Sequence, residues 1–397
     1  MILLSHPTGN EFVRAALEAF DRAGMLAEFW TTLSWDSNSV TSRLLPQQVA
    51  RTFERRAFSE TIRSRTHMVP FREILRLLTG AFSVDAVLRD FDLKVANRLR
   101  KIDGIDSVYA YEDAALESFR AARDRGFKRI YDLPIAYWQT SQHLLREEAE
   151  RYPDWEPTLI GTRDSDEKLS RKTEELDLAQ LVICPSKFVL ESLPAEVRAQ
   201  KRCVVAPFGS PDVDLSLSAK KNSGPLRLLF AGAMTQRKGL ADLFAAMKLV
   251  KSKQVELVVM GSLLRSLSWY RDRFADFIYE PPRPHGEVLR LMQICDVFVL
   301  ASIVEGRALV QQEAMACGLP VIATKNAGAD DAVIDGETGF LVPIRSPEAI
   351  AEKINWFLAN RSLLGGMGIA ARKRAAEFTW RAYGDKIVAA VRALTCP

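Results

Sequence analysis

The chain has 397 residues, which is enough for roughly two or three domains of ordinary size. Hydrophobic residues make up 48% of the chain and charged residues 26%, which argues against a disordered protein. The net charge of +4 is too small to indicate nucleic acid as a partner, and no apolar run approaches the ~20 residues that a membrane span needs.

The amino-terminal segment MILLSHPTGN is too short in its apolar part to be a signal peptide. The five cysteines are odd in number and scattered, which favours buried thiols in a reducing compartment over a disulfide framework. They are Cys184, Cys203, Cys295, Cys317 and Cys396. No group of cysteines and histidines has metal-ligand spacing. These features predict a cytoplasmic protein without a bound metal.

The first half of the chain alternates between strand and helix patterns. ILLSHPTGN predicts a strand and a loop, EFVRAALEAFDRAG an amphipathic helix that ends at Gly24, and LAEFWTTLS a second strand. Residues 36–100 are predicted to be mostly helical. A strand, a helix and a strand follow over 106–134, and residues 139–180 are polar and helical. The strand LVICPS, the helix KFVLESL and the segment RCVVAPFGSPDVD end this half, whose opening is typical of a doubly wound domain.

Within residues 41–80 the chain carries eight arginines and three glutamates, a net charge of +5. Large apolar residues such as Phe53, Phe71 and Leu78 are interleaved with these charges. One interpretation is a solvated helix whose arginines pair with acids. The other is a basic amphipathic helix in peripheral contact with the inner face of an anionic membrane.

The second half begins after KNSGP (residues 221–225), which reads as a linker. The buried strands LRLLFAGA, VELVVMGS, DVFVLAS and LPVIAT alternate with helical patterns. The pattern predicts a second doubly wound domain. FTWRAYGDKIVAAVRAL then predicts one long amphipathic helix at the carboxyl end.

Two glutamates, Glu305 and Glu313, bracket the run EGRALVQQE between two buried strands. EGRALVQQEAMA has helical spacing, and Gly318 stands where a helix C-cap glycine is expected. The start of a helix offers free N–H groups and a partial positive charge, so a phosphate can dock there. The candidate docking residues are Gly306, Arg307, Ala308, Leu309 and Val310. Glu313 would then reach the ribose hydroxyls, and Glu305 would face the group beyond the phosphate.

The run around these glutamates resembles the carboxyl-terminal domain of the retaining glycosyltransferases of family 4. The matching pieces are DVFVLAS, EG whose E is separated by seven residues from a second E, EAMACGLPVIAT and DGETGFLVP. The resemblance implies an α/β protein with the GT-B fold, in which two Rossmann-like domains face each other across a cleft. It implies an acceptor-binding domain over 1–205 and a nucleotide-sugar domain over 206–378. A final helix over 379–397 would cross back onto the first domain.

The segment FAGAMTQRKG carries the second part of the resemblance. Gly232, Lys238 and Gly239 match the family pattern, whereas Ala233 replaces its usual arginine. Arg237 is the candidate to supply the missing charge. By resemblance Lys238 and Arg237 stabilise the leaving diphosphate, Glu313 binds ribose and Glu305 lies beside the transferred sugar.

Several positions depart from the family pattern. Arg307 replaces an aromatic residue and is a candidate contact for phosphate, sugar or acceptor. Ala308 replaces a glycine, which is tolerated only if the loop stays near helical geometry. Tyr131 stands where the family often has a histidine, so Asp132 is the better candidate for a polar role in the cleft.

The remaining candidates come from loops. Gly9 and Asn10 are expected to bring backbone N–H groups close to the donor phosphate or the acceptor. His285 falls near the expected nucleobase, with a capping or surface role equally open. His6 is read as structural more readily than functional. The motif Asp164-Ser165-Asp166 lies in a polar run and is read as surface.

The sequence thus predicts a retaining, metal-independent glycosyltransferase that needs no cofactor. It would move a hexose from a nucleotide diphosphate sugar to a glycan or lipid-linked acceptor in cell-surface polysaccharide or glycolipid synthesis. A GT-B nucleotide-sugar epimerase is an alternative, although that class does not usually carry the paired glutamates. A non-catalytic nucleotide-binding relic is the other alternative, and Ala233, Ala308 and Tyr131 favour it.

Overall fold

The computed structural model of the protein describes residues 1–35, 56–213 and 224–395, in which the strands form two parallel sheets. The strands of the first sheet are β1 (Ile2–Ser5), β2 (Leu26–Thr31), β3 (Thr66–Met68), β4 (Ser107–Tyr111), β5 (Lys128–Asp132), β6 (Leu181–Cys184) and β7 (Arg202–Val205). Those of the second are β8 (Leu226–Ala231), β9 (Val255–Met260), β10 (Phe277–Glu280), β11 (Val297–Leu300), β12 (Val321–Thr324) and β13 (Gly339–Val342).

Helices connect these strands, and their bounds within the described residues fall in three groups. The first group is α1 (Glu11–Arg22), α2 (Glu60–Arg63), α3 (Phe71–Thr79), α4 (Val84–Leu99) and α5 (Leu116–Asp124). The second is α6 (Trp138–Arg151), α7 (Asp166–Leu178), α8 (Lys187–Ser192), α9 (Ala195–Gln200), α10 (Leu240–Val250) and α11 (Leu267–Arg271). The third is α12 (His285–Gln293), α13 (Leu309–Ala316), α14 (Pro347–Ala359), α15 (Leu364–Ala376) and α16 (Trp380–Thr395).

Both sheets are doubly wound in the same way. The first has the order β3-β2-β1-β4-β5-β6-β7 and the second the order β10-β9-β8-β11-β12-β13. In each, the order reverses beside the first strand of the sheet, between β1 and β4 and between β8 and β11. Ligands of such sheets bind outside the carboxyl ends of the strands at this reversal. The two-domain GT-B architecture expected from the sequence is therefore confirmed.

The central strands are continuous apolar runs because helices cover both faces of each parallel sheet. VFVL of β11 and VIAT of β12 are buried at every position. β-branched residues pack well on such a pleated surface, which is why these short segments form strands rather than helices.

The last helix, α16, packs against the first domain, as the sequence predicted. Ile387 and Val391 on this helix are buried, and a β-carbon built on Gly384 would lie 2.6 Å from Cβ of Ala19 in α1. The hydroxyl of Tyr383 lies 3.4 Å from Oδ2 of Asp132 in β5. The helix therefore ties the two ends of the chain together.

The structure differs from the predicted elements at short, exposed places. β3 interrupts a segment predicted to be helical, and β10 was not predicted at all; both are edge strands of three and four residues. Helix α13 begins at Leu309 and not at Glu305, because the N-cap Ala308 is extended with φ −68° and ψ 102°. Residues 36–55 of the segment 36–100 lie outside the described part of the chain.

Cys184, Cys295 and Cys317 are buried, Cys203 is half-buried, and no disulfide joins these four, whereas Cys396 lies outside the described residues. None of the helices in the described ranges is long and apolar enough to cross a membrane.

Candidate functional site

A cavity of about 430 Å³ lies between the two domains, at the carboxyl ends of β8 and β11. Lys238, Glu305 and Glu313 are among the polar side chains that line it. Several further predicted residues line the same cavity: Gly232, His285, Gly306, Arg307, Ala308, Leu309 and Val310. The loops that carry these residues follow β8, β10 and β11, whose carboxyl ends lie at the same edge of one parallel sheet.

The loop after β8 is built around one close contact. Nζ of Lys238 lies 2.5 Å from Oε1 of Glu305 at the floor of the cavity. The loop tightens into a short 3-10 turn over Gln236–Lys238, capped by Thr235, whose Oγ1 accepts a hydrogen bond of 3.2 Å from the N–H of Arg237. The turn therefore presents the lysine ammonium to the cavity.

A buried glutamine anchors this turn to the domain boundary. Nε2 of Gln236 donates to Glu148 at 2.6 Å and to Asp242 at 2.8 Å, and its Oε1 accepts from the N–H of Ala241 at 2.8 Å. Because a fully hydrogen-bonded buried amide has few alternative positions, the turn that follows it is held in place.

The Glu305 carboxylate is mostly buried, with 12% of its side chain exposed, and is held by two cations. Nη1 of Arg237 lies 3.0 Å from the same oxygen that contacts Lys238. Burial alone would raise the pKa of Glu305, but the charges of Lys238 and Arg237 outweigh it and hold the pKa below its usual range. The group is therefore ionised at neutral pH.

Arg237 lies on the far side of Glu305 from the main cavity. Its Nη1 donates to the carbonyl of Val304 at 2.9 Å, and its side chain lines a separate cavity of about 110 Å³. The main cavity thus receives one of the two expected cations, Lys238. The structure places Arg237 where it supports Glu305.

The start of α13 opens onto the cavity. The N–H groups of Leu309 and Val310 belong to its first turn, which has no acceptors within the helix. Ala308 has a negative φ that any residue adopts, which explains why alanine is accommodated where the family pattern has glycine, although its ψ is extended and not helical.

Gly306 is required by its surroundings. A β-carbon built there would lie 1.7 Å from the carbonyl oxygen of Pro134 in the first domain. Beside this contact the N–H of Ala136 donates to the carbonyl of Glu305 at 3.3 Å, and Oγ of Ser186 donates to the carbonyl of Gly306 at 2.6 Å. The loop that carries Glu305 is therefore bonded directly to the opposite domain.

Glu313 and His285 face each other at the other end of the cavity. Nε2 of His285 lies 3.1 Å from Oε1 of Glu313. Both residues also line a neighbouring cavity of about 500 Å³, together with Gly9 and Asn10 from the loop after β1. The structure thus places the expected ribose-binding, nucleobase and amino-terminal loop residues around one continuous opening.

Arg307 is among the residues that line the cavity, but its guanidinium turns away from the cavity and is not placed for the contact with phosphate, sugar or acceptor considered from the sequence. The guanidinium is fully buried and contacts Oδ1 of Asp331 at 2.5 Å and Oε1 of Gln312 at 2.9 Å. It also lies over the ring of Phe378, 4.6 Å from the ring centroid. Its partners come from later in the chain. Arg307 therefore stabilises the loop after β11 from the side that faces away from the cavity.

The strand end at Tyr131 and Asp132 also differs from the expected arrangement. The Asp132 carboxylate is buried and accepts a hydrogen bond of 2.5 Å from Tyr109, and burial raises its pKa to about 7. Tyr131 points to the other face of the sheet, where its hydroxyl donates to Glu175 at 3.1 Å. Neither side chain lines the cavity, because both are packed inside the first domain.

His6 is held inside the first domain, where its ring meets that of Tyr111 edge-on at 4.1 Å. Burial lowers the pKa of His6 to about 3, so the ring is neutral at neutral pH. Asp164, read as surface from the sequence, is partly buried and contacts Nζ of Lys168 at 2.8 Å.

Arg283 is a cavity-lining cation that sequence reasoning missed. It precedes α12 and forms an ion pair with Glu280. The run PPRPHG that contains it was a usable signal, because it places a cation just before a predicted helix. Pro134, Ile135 and Phe12 from the first domain, with Phe208 from the segment after β7, complete the apolar wall. Nothing in their local sequence marks them, because the domain arrangement brings them to the cavity.

In sequence, the family match to known proteins lies in the second half of the chain. Residues 216–374 match the family described as glycosyl transferases group 1. The D-inositol 3-phosphate glycosyltransferase of Corynebacterium diphtheriae is 40% identical over 126 residues, which are 32% of this chain and 28% of that protein. The capsular polysaccharide biosynthesis glycosyltransferase CapM of Staphylococcus aureus is 34% identical over 154 residues, 36% of this chain and 40% of CapM. The chain thus spans well under half the length of these two curated relatives.

Solved structures extend the similarity of fold to the whole chain. Sucrose-phosphate synthase from Thermosynechococcus elongatus has a TM-score of 0.69 at 21% identity, covering 99% of this chain and 98% of that one. HepE from Anabaena, in a complex with UDP-glucose, has a TM-score of 0.63 at 16% identity, covering 99% of both chains.

Proposed function

We propose that this chain, whose residues 216–374 match the glycosyl transferases group 1, transfers a hexose from a nucleoside diphosphate sugar to an acceptor hydroxyl. One observation carries the proposal. The Lys238 ammonium, the first turn of α13 and the Glu313 carboxylate line a single cavity. A cation and free N–H groups suit a diphosphate, and a carboxylate suits the hydroxyls of a ribose.

In the proposed reaction the bond between the anomeric carbon and the diphosphate oxygen breaks, and its electron pair stays on the diphosphate. The acceptor oxygen forms the new bond to the anomeric carbon on the same face, so the configuration is retained. The acceptor proton passes to the departing diphosphate. Lys238 and the N–H groups of Leu309 and Val310 stabilise the negative charge that builds on this leaving group.

Glu305 is proposed to accept hydrogen bonds from the hexose. It is kept ionised by Lys238 and Arg237, and it lines the cavity on the floor next to Lys238. Lys238 would then be shared between Glu305 and the diphosphate. A lysine can serve both because its ammonium carries three donors.

We propose that this chemistry needs no divalent ion. The support is the number of positive groups near the expected diphosphate: Lys238, Arg283 and the start of α13 all line the cavity. Together they offer the charge stabilisation that a metal ion supplies in other transferases.

The donor and acceptor classes are proposed from the proteins that this chain resembles in sequence or in structure. HepE was solved with UDP-glucose, so a UDP-sugar is the first donor to test. The name of CapM, a protein of capsular polysaccharide biosynthesis, supports a glycan or lipid-linked acceptor and a role in cell-surface polysaccharide or glycolipid synthesis. The proposed compartment is the cytoplasm.

A thermal-shift panel of UDP, GDP, ADP and their sugars, with and without Mg²⁺, tests this proposal. One nucleotide should raise the midpoint of unfolding equally with and without Mg²⁺, and the corresponding sugar nucleotide should be hydrolysed slowly. Lys238→Ala should lower that turnover by roughly 10²-fold or more. Lys187→Ala, at a lysine exposed on α8, is the matched control and should leave turnover unchanged.

Two results would contradict the proposal. If no nucleotide shifts the midpoint, the chain is better described as a non-catalytic relic of the family. A near-normal rate for Lys238→Ala would move the charge-stabilising role to another cation, with Arg237 the first to examine.

A further inference from the structure

Helix α3 (Phe71–Thr79) exposes its apolar face and turns its charged face towards the protein, which is the reverse of a usual surface helix. Its apolar residues Phe71, Ile74, Leu77 and Leu78 are 71%, 41%, 49% and 77% exposed. At 100° per residue these four side chains fall on one face of the helix. A surface helix ordinarily packs such a face on the core and leaves its charges to water.

The charges of α3 hold it to the protein. Glu73 is buried and accepts from Nε of Arg76 at 2.7 Å and from Nη2 of Arg56 at 2.9 Å. Nε of Arg72 lies 3.5 Å from Oδ1 of Asp90 in α4. The polar face of the helix is thus satisfied inside the domain, and its apolar face is what it presents outward.

The surroundings of this face are positively charged. Residues 56–80 contain five arginines and two glutamates, a net charge of +3. Arg65 and Arg72 stay more than two fifths exposed, although Asp21 and Asp90 pair with them at 2.7 Å and 3.5 Å. An anionic bilayer complements both properties, since it takes up apolar side chains and attracts the arginines. A second copy of the chain would bring the same positive charge and be repelled.

We propose that the exposed face of α3 docks on an anionic lipid bilayer, with Phe71 and Leu78 inserted at the boundary between head groups and acyl chains. A nine-residue helix is too short to span a bilayer and suits this interfacial position. The proposal does not depend on the transferase activity.

The docking face is connected to the cleft by hydrogen bonds. Arg56, which binds Glu73 of α3, also donates from Nη1 to Oγ1 of Thr32 at 3.1 Å. Thr32 in turn donates to the carbonyl of Pro7 at 2.6 Å, two residues before Gly9 at the cleft. A bilayer bound at α3 would therefore lie against the domain proposed to bind the acceptor, which fits a lipid-linked acceptor.

Flotation of the full chain with vesicles tests the proposal. Vesicles of equal parts phosphatidylglycerol and phosphatidylcholine should carry the protein upward, and vesicles of phosphatidylcholine alone should carry much less. High salt should weaken the binding. The double variant Phe71→Ser, Leu78→Ser should lower partitioning into the anionic vesicles by about tenfold or more.

The matched control is Leu363→Ser, Ile369→Ser, at residues of the second domain that are 48% and 71% exposed. It should bind vesicles like the wild type. The proposal is overturned if the wild type does not float with anionic vesicles, or if the α3 variant floats as well as the control.

Two other measurements on the same proteins identify other occupants of this face. A dimer in light scattering that the α3 substitutions convert to a monomer would show that a second copy covers it. A midpoint of unfolding that falls by many degrees in the α3 variant alone would show that another part of the chain covers it. Either result would overturn the proposal that this face docks on a bilayer.

Discussion

Gly232 and Lys238 compete for the same small volume at the floor of the cavity. A β-carbon built on Gly232 would lie 2.8 Å from Cδ of Lys238 and 3.0 Å from its Cε. The glycine also has φ +147°, which side chains rarely adopt. The missing side chain therefore makes the space through which the lysine reaches Glu305.

Gly232→Ala should displace the ammonium of Lys238 and lower donor hydrolysis by roughly tenfold or more, because the proposed leaving diphosphate loses the charge of this lysine. Gly336→Ala is the matched control, since Gly336 has φ +77° with open space around it. It also has a positive φ, although in the left-handed helical region, and it lacks the clash. Equal turnover in the two variants would show that the fit of Lys238 against Gly232 does not matter for catalysis.

Glu313→Ala should weaken nucleotide binding by about tenfold, the effect expected when hydrogen bonds to a charged group are lost. Isothermal titration with the nucleotide found in the thermal-shift panel measures the change. Glu352→Ala, at a glutamate that is 70% exposed on α14, is the control. Unchanged affinity in Glu313→Ala would remove the proposed ribose contact.

Asp132 should make the stability of the first domain depend on pH. Its pKa is raised from 3.8 to about 7 in the folded protein, mainly by burial, so the folded state holds the proton more tightly than the unfolded state does. The stability due to the protonated group is complete below pH 3.8 and is lost as the pH rises towards 7.

The Asp132→Asn variant has no titrating group at this position, so its stability should not show this loss as the pH rises. Between pH 5 and pH 8, the free energy of unfolding of the wild type should fall relative to the variant by roughly 2 kcal/mol. Urea titrations of both proteins at the two pH values measure the difference. A difference that stays constant with pH would mean that Asp132 is ionised throughout.

Arg307→Met should destabilise the protein and leave the chemistry nearly intact. The substitution keeps the volume but leaves Asp331 and Gln312 without their buried partner, which should cost roughly 2 kcal/mol of folding free energy, discounted because Asp331 is one third exposed. Urea unfolding and nucleotide titration are to be compared on the same sample. Weaker nucleotide binding at unchanged stability would instead place the guanidinium on the donor.

The elements of the fold that could be predicted are those that depend on local sequence patterns. Buried apolar runs such as VFVL and VIAT indicated strands, and their alternation with helices indicated two doubly wound sheets. The spacing of Glu305 and Glu313 placed both at one cavity because a strand, a loop and a short helix fix their separation.

Side-chain directions that depend on distant partners could not be predicted. Arg307 turns away from the cavity towards Asp331, 24 residues later in the chain. Asp132 faces the hydroxyl of Tyr383, 251 residues away, because the carboxyl-terminal helix packs on that side of the sheet. The motif located each residue to a loop or strand end, but only the assembled domains decide which way it points.

The contact between Gly306 and Pro134 means that the loop carrying Glu305 also joins the two domains. Here two backbones from opposite domains touch without a side chain between them, and the bonds from Ala136 and Ser186 fasten them. Any rotation that widened the cleft would have to break these bonds before it disturbed either sheet. The Glu305 carboxylate is thus carried by the loop that joins the two domains, so its position depends on whether the domains are closed.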